Sequence, residues 1–421
     1  MASIVISFVG NQDPFGKNAS EGSIVSLIKY LRQEGRAIKH VILIYTEATK
    51  TGAEDTKDWL VTELAITADK VELIPASVEL SNDPTDLLRA AQEARQGLDR
   101  ANLDLAEGDR IEFNASSGTP AMKSSFSILQ AAGYAPQSTV WQVRNPSEMK
   151  EGQARVFPTD VGVLRQEFER KVISKQIEDF NYSGALKSLA VSSLANKQAI
   201  ALLEYGRCRM AFDFNTAFNH LQSITKTAPA QLQQEINALR QRQLDAIAKE
   251  LYFNAEIRYH NREFSEFLVL LTQFQECILA HLLKKELNLE VPNQRNETDS
   301  FWHSLKSSDE GIAFKNLQDF YQSKSWELTT KGFPNRSHMI GVLSGYSKLN
   351  QVMELVIFLN DYCEQRNRCV HRFEGISTIE DGDLLLTKLK KLIKTQVNLP
   401  NENSFVFLNR IILEQINALK L

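Results

Sequence analysis

The sequence has little cysteine, and its few cysteines form no paired pattern. Among its 421 residues there are four cysteines and no CxxC motif; they are Cys208, Cys277, Cys363 and Cys369. Zinc ribbons and small disulfide-stapled domains depend on closely spaced thiols. We therefore expect reduced thiols packed in the core, with no disulfide and no metal site.

Long hydrophobic runs are also missing. No stretch of eighteen or more apolar residues occurs, and the first residues, Met1–Val9, lack the basic segment and cleavage site of a signal peptide. These absences predict a cytoplasmic protein without a membrane span.

Strong positive charge is absent as well. Residues 1–160 contain 16 basic and 22 acidic side chains, and the rest of the chain contains 32 and 30. A protein that holds duplex nucleic acid by its phosphates needs a basic stripe, so any contact with RNA should be local and transient. The sequence also has no GxGxxG fingerprint and no Walker loop, which argues against a dinucleotide cofactor and against ATP hydrolysis.

Length and periodicity predict two domains. In residues 1–145, short apolar runs at 3–9, 40–45, 71–74, 110–113 and 139–143 alternate with helical stretches near 20–34, 54–68, 84–100 and 119–132. Strict alternation of strand and helix indicates a Rossmann-like, doubly wound parallel sheet.

The remainder of the chain has a different pattern. Residues 146–162 contain proline, glycine and charged residues, which is typical of a linker or a crossing hairpin, and helical periodicity dominates residues 163–421. Segments 179–185 and 213–218 resemble each other, and we interpret them as successive helical-hairpin turns.

Two turns in the first domain suit a phosphate-bearing ligand. The strand at 110–113 runs through small and hydroxyl residues, Asn114 to Met122, into a helix, and the first strand ends in the turn Gly10–Gly16. Both turns should lie at the carboxyl edge of the sheet, close together if their strands are neighbours. Lys17, Lys123 and Arg144 are nearby cations. The alternative is that Ser116 to Thr119 only cap the following helix.

One short string in the helical domain carries the best catalytic candidates. Four residues separate Arg366 from His371. No other histidine in the sequence has an arginine upstream with four to six residues between them. Histidine can act as general acid or base, and arginine can neutralise charge on a phosphorane, with Asn367 orienting either. The alternative is a surface in which Arg366 pairs with Glu364 or Glu374 and His371 caps a helix.

Together the two strings resemble a known arrangement. Asn114 to Met122 resembles the Asp-x-Thr-Gly-Gly-Thr-Lys-x-Met motif of CARF domains, and Arg366 to His371 resembles the Arg-x4-6-His motif of HEPN ribonucleases. Their order over the whole chain is similar to the CRISPR type III accessory ribonucleases of the Csm/Csx group.

The resemblance implies a homodimer in antiviral defence. Paired CARF domains would bind cyclic tetra- or hexa-adenylate as an allosteric activator, and paired HEPN domains would cut single-stranded RNA without metal, leaving 2′,3′-cyclic phosphate and 5′-hydroxyl ends. The catalytic residues would be Arg366, Asn367 and His371. The activator-binding residues would be Asn11, Asp13, Asn114, Ser116, Ser117, Gly118, Thr119 and Met122.

The sequence departs from the CARF motif at positions that include 114, 117 and 120. Asn114 replaces the acid, Ser117 replaces a glycine, and Pro120 replaces the lysine, which removes an expected phosphate contact. Two other functions therefore stay open: a nucleotide-sensing regulator that cuts no RNA, and a CARF domain that also degrades its activator.

Overall fold

A computed structural model describes residues 2–16, 21–224, 228–372 and 374–418. The chain divides between Lys171 and Val172 into an α/β unit and a helical unit. One helix, Gly162–Glu178, spans this division. Elements are numbered in chain order, and this helix is α6. The functional roles assigned to the two domains, and their predicted boundaries, stay predictions.

The α/β unit is built on one six-stranded sheet with the order β3-β2-β1-β4-β5-β6. The first five strands are parallel, and β6 pairs antiparallel with β5. This confirms the predicted Rossmann-like sheet. In chain order the elements are β1 Ala2–Phe8, α1 Ser23–Gln33, β2 Ala37–Tyr45, α2 Lys50–Leu64, β3 Val71–Pro75, α3 Val78–Asn82, α4 Leu87–Asp104, β4 Arg110–Asn114, α5 Pro120–Ala131, β5 Ser138–Val143 and β6 Val156–Thr159.

Burial on both faces explains why these strands are almost continuously apolar. In β1, Ile4, Ile6 and Phe8 pack in one hydrophobic cluster, with α4 and α5, while Val5 packs in a second cluster on the opposite face, with α1. Successive side chains of a strand point to opposite faces, so a strand covered by helices on both sides has no polar face.

The edge strand β6 lies in the segment 146–162. Residues 156–159 pair with residues 140–143 in antiparallel register, so the chain turns back along the sheet here as a hairpin. The sequence signal for this strand was only four residues long and included Pro158, which is tolerated at a sheet edge.

The helical unit continues from α6. Its helices are α7 Tyr182–Ala190, α8 Lys197–Met210, α9 Phe214–Gln222, α10 Ala230–Arg240, α11 Leu244–His260, α12 Phe264–Leu287, α13 Thr298–Ser307, α14 Ile312–Ser323, α15 Arg336–Ser344, α16 Asn350–Phe358, α17 Asn360–Arg372, α18 Gly382–Gln396 and α19 Ser404–Asn417. No strand occurs in the described part of this unit. This confirms its predicted helical class.

Both segments that resemble each other in sequence form helical-hairpin turns. The positions that are equivalent in the structure, however, differ by two residues from those that the sequence similarity pairs. Phe180 and Phe212 adopt left-handed φ values of 58° and 59°. The next residues, Asn181 and Asp213, then cap α7 and α9. The repeated letters Asp-Phe-Asn suggested a different alignment, because position in the turn depends on backbone conformation and capping geometry, which similar letters do not specify.

Helix α12 is long and apolar enough to cross a membrane, but 67% of its apolar window is buried inside the protein. It packs against α11, α15 and α17. The burial is that of a core helix, whose apolar residues continue around its circumference because neighbours surround it.

A buried arginine connects four helices of this unit, α8, α10, α11 and α19. Arg209 on α8 is 2% exposed and forms a bidentate ion pair with Glu250 on α11, with N–O distances of 2.9 and 2.8 Å. Its other donors reach Glu235, Tyr205 and Ser404. A charge this deeply buried is tolerated only because its donors are satisfied.

Replacing Arg209 with Met should lower the free energy of unfolding of the helical unit by about 3–5 kcal/mol, because Glu250 is left buried without its partner. Arg410→Met is the matched control, since Arg410 pairs with Glu402 on the surface of the same unit. Its cost should stay below about 1 kcal/mol. Urea denaturation measures both, and equal losses would contradict the structural role of Arg209.

Candidate functional site

A cavity of about 830 Å³ lies where β1 and β4 end. These strands are parallel neighbours, so their carboxyl ends meet at the point where the strand order reverses. The two predicted turns line one cavity there. Its walls include Gly10, Asn11, Asp13, Ser116, Ser117, Gly118, Thr119 and Met122.

The Asp13 side chain joins the two turns. It is 7% exposed and accepts hydrogen bonds from the Ser117 hydroxyl, from the Gly10 N–H (3.0 Å) and from the Ile24 N–H (3.4 Å) at the start of α1. Burial raises the pKa of Asp13 above its usual value of 3.8, against the opposing effect of these hydrogen bonds. Asp13 therefore holds the two turns together at the bottom of the cavity.

Glycine is required where the turns approach each other. A Cβ on Gly10 would lie 2.8 Å from the Gly118 nitrogen, and a Cβ on Gly118 would lie 2.8 Å from the Met122 sulfur. Gly118 also has φ of +84°, which other residues rarely adopt. The two glycines bring bare backbone to the cavity surface.

The hydroxyls of the second turn all make bonds within the protein. Thr119 caps α5 by accepting from the Met122 N–H (3.4 Å) and donates to the Pro84 carbonyl (2.5 Å). Ser116 accepts from the Val143 N–H at 2.7 Å. The capping alternative is therefore present in the structure, and these residues nevertheless line the cavity.

Asn114 differs from the other predicted activator-binding residues, because it does not line the cavity. It is fully buried at the end of β4, where its amide donates to Ser7 and Ser23 and accepts from the Ser116 N–H. Its side chain fixes the start of the turn, and its contact with the activator stays a prediction.

Donors suited to an anion surround the cavity. Within the described residues, the backbone N–H groups of Ser117 and Gly118 have no protein acceptor. The predicted cations Lys123 and Arg144 both line the cavity, while Lys17 lies outside the described residues. Lys123 supplies a positive charge one helical turn beyond Pro120, the position where the CARF motif has its lysine.

Sequence reasoning missed the contribution of the β5–β6 hairpin. Lys150 and Arg155 line the cavity from this segment, and Arg155 contacts the Glu21 carbonyl at 2.7 Å. The Arg155 Nε is buried and has no hydrogen-bond partner among the described residues. The short apolar pair Val156-Phe157 was the available signal that the chain returns to the sheet here.

The Arg366–His371 string lies on one helix, α17, at its C-terminal end. Arg366 and Asn367 are half-buried, with the Arg366 Nη1 donating to the Asn367 Oδ1 at 3.1 Å, and His371 is exposed. Five residues of an α-helix turn by about 140° beyond a full circle. Arg366 and His371 therefore do not share one face of α17.

The alternative, a surface ion pair of Arg366 with Glu364 or Glu374, does not occur in the described part of the chain. Glu374 faces Arg368 instead, at 3.8 Å, and Arg366 makes no ion pair within the described part of the chain. Its Nε is buried without a hydrogen-bond partner there. An unpaired buried donor costs about 1–3 kcal/mol, which an incoming phosphate oxygen or a second chain can offset.

A buried hydrogen-bond cluster holds the start of α17 against α12. The fully buried Gln275 donates to the Val356 carbonyl (2.7 Å) and to Asn360 (2.9 Å), and accepts from Arg336 (2.8 Å) and the Cys363 thiol (3.2 Å). The helix that carries the catalytic candidates is therefore anchored at its first turn.

Comparison with known proteins identifies the fold. No protein-family model matches the sequence, and no curated protein matches it. Among solved structures, the chain is similar to Enterococcus italicus Csm6 bound to cyclic hexa-2'-fluoro-hexa-dAMP, with a TM-score of 0.66. The match covers 99% of this chain and 100% of that chain at 16% sequence identity. The chain has the fold of Csm6, as the resemblance implied.

Gly118→Ala and Gly133→Ala form a matched pair, since Gly133 has φ of +81° but open space around its Cβ position. Both should lose about 1–2 kcal/mol of unfolding free energy from backbone strain. Gly118→Ala should lose at least about 1 kcal/mol more, because its Cβ collides with Met122 and Phe8. Urea denaturation decides, and equal losses would mean that the turn does not need a bare backbone.

Asp13→Asn should change the pH dependence of stability in a defined direction. Because burial raises the folded-state pKa of Asp13, its protonated form is favoured on folding. The stability of wild type relative to Asp13→Asn should then be greatest below pH 3.8 and fall as pH rises through the raised pKa.

Asp83→Asn is the control of opposite sign. Hydrogen bonds from Thr85 lower the pKa of Asp83, so its contribution should be lost as pH falls. Urea denaturation on both sides of pH 3.8 measures both differences, and a wild-type advantage over Asp13→Asn that grows with pH would contradict the assignment.

Proposed function

We propose that this chain, which has the fold of Csm6, is a CRISPR-associated endoribonuclease activated by cyclic oligoadenylate. It acts in antiviral defence as a cytoplasmic homodimer and cuts single-stranded RNA without metal. The observation that carries the proposal is the cavity where the strand order reverses, which the turns after β1 and β4 form. The helical unit of the same chain carries Arg366, Asn367 and His371 on one helix.

The cavity suits one part of a cyclic oligonucleotide. Its volume lies near the upper end of the roughly 300–1,000 Å³ typical of small-molecule sites. The N–H groups of Ser117 and Gly118 would donate hydrogen bonds to phosphate oxygens, and Lys123 and Arg144 would balance phosphate charge. Asn11 is exposed at the rim and can contact a base or ribose. A second chain across a two-fold axis would supply the other part of the ring site.

In the proposed cleavage, one His371 takes the proton of the ribose 2′-hydroxyl, and the 2′-oxygen attacks the adjacent phosphorus. A second His371, protonated, donates to the departing 5′-oxygen, leaving a 2′,3′-cyclic phosphate and a 5′-hydroxyl end. Arg366 neutralises the phosphorane, and Asn367 holds its guanidinium. Because Arg366 and His371 diverge around α17, one chain supplies half a site and the dimer completes it.

The test is cleavage of labelled single-stranded RNA in the presence of a chelator, with and without cyclic tetra- or hexa-adenylate. His371→Ala should reduce the cleavage rate by about 10²–10⁴-fold, because the general acid and base are removed together. His303→Ala is the matched control, an exposed histidine on α13, and should cleave as wild type does. End analysis should find cyclic phosphate on the products.

Arg366→Ala and Arg368→Ala provide a second matched pair on α17. Only the first should abolish cleavage, because Arg368 faces Glu374. Unchanged cleavage in His371→Ala would overturn the nuclease assignment. Activator binding without cleavage in wild type would favour the regulator, and loss of labelled activator in His371→Ala would identify activator degradation by the α/β unit.

A further inference from the structure

Three metal-ligating side chains converge in the helical unit, on α8 and α9 rather than on α17. Glu204, Cys208 and His220 place a carboxylate oxygen, a thiol sulfur and an imidazole nitrogen within 4.8 Å of one another. Cys208 is buried, and Glu204 and His220 are half-buried. No spacing rule finds this set in the sequence, because the third ligand comes from the next helix.

The helical hairpin explains the convergence. Glu204 and Cys208 are four residues apart on α8, so they lie one turn apart on the same face. Helix α9 packs against α8 and presents His220 in its last turn. The Asp213 cap at the start of α9 fixes the angle of that helix by accepting from the Thr216 N–H.

Cys208 differs from the other two buried thiols, Cys277 and Cys363. Cys277 donates to the Leu244 carbonyl and Cys363 donates to Gln275. The Cys208 sulfur instead accepts from the Arg207 guanidinium, at 3.5 Å. It is thus presented as an acceptor, beside a carboxylate and an imidazole.

We propose that Glu204, Cys208 and His220 bind a divalent transition metal of the zinc type. Thiolate, imidazole and carboxylate together match the ligand preference of Zn²⁺, and calcium or magnesium would avoid the sulfur. Three protein ligands leave one tetrahedral position, and a cavity of about 510 Å³ lined by Glu204, His220 and Asn196 adjoins the site. Water or a small ligand can occupy that position.

Only small adjustments are needed to close the site. Zinc bond lengths place tetrahedral ligand atoms about 3.3–3.8 Å apart, so atoms that lie within 4.8 Å of one another need to approach by at most about 1.5 Å. Burial raises the pKa of the Cys208 thiol, so metal binding releases its proton to solvent. Arg207 competes for the site, because its Nε also contacts Glu204 at 2.7 Å.

The test measures Zn²⁺ bound by the purified full-length chain after chelator treatment and desalting, and the absorption of the Co²⁺ form. Wild type should bind one Zn²⁺ per chain and show a thiolate-to-cobalt charge-transfer band. Cys208→Ser should lose the band and, like His220→Asn, bind Zn²⁺ at least about tenfold more weakly. Cys277→Ser and His303→Asn, matched in residue type and distant in sequence, should bind as wild type does.

Arg207→Gln gives an independent prediction of opposite sign. Removing this cation should tighten Zn²⁺ binding by about tenfold, because a positive charge beside the metal is lost. Circular dichroism confirms that each variant is folded. Wild-type affinity in Cys208→Ser or His220→Asn, or unchanged affinity in Arg207→Gln, would overturn the proposal. Because the readout is bound metal, the result is separate from RNA cleavage.

Discussion

The parallel pairing of β1 with β4 is the interaction on which the candidate activator site depends. It places two turns that are distant in sequence at one sheet edge, where Asp13 accepts from Ser117 and from the backbone of its own turn. The glycines at positions 10 and 118 allow this contact, since a Cβ at either would collide with the other turn or with α5. A buried carboxyl group thus organises the cavity floor and leaves backbone N–H groups for an anion.

Three arginines of the helical unit differ in their hydrogen-bond partners, and these differences indicate different roles. Arg209 is buried, and carboxylates and hydroxyls surround its donors, which is the pattern of a structural residue. Arg366 is half-buried, and its Nε has no hydrogen-bond partner among the described residues, which costs free energy unless a bound phosphate or a second chain supplies an acceptor. Arg207 is partly exposed and contacts Glu204 and Cys208, two of the proposed zinc ligands, from which it can move away at little cost.

Prediction succeeded where the signal was local and repeated. The alternation of apolar runs and helices identified the sheet, and small residues after two strands identified the turns. It failed where partners are distant. Strand β6, which follows Arg155, carried only a four-residue signal inside a segment interpreted as a linker or a crossing hairpin, and the Asp-Phe-Asn similarity misaligned two turns by two residues. Each failure depends on contacts between segments that periodicity does not report.

The sequence by itself determined the α/β-then-helical order, the carboxyl-edge position of both turns and the arginine–histidine string, because these follow from backbone periods and neighbouring residue types. Only the tertiary structure decided that Asp13 joins the two turns, that Arg366 forms no ion pair within the described residues, and that Glu204, Cys208 and His220 converge. The physical reason is that side-chain chemistry is set by distance and burial. Both arise when helices and strands pack, and neither is encoded in the spacing of residues along the chain.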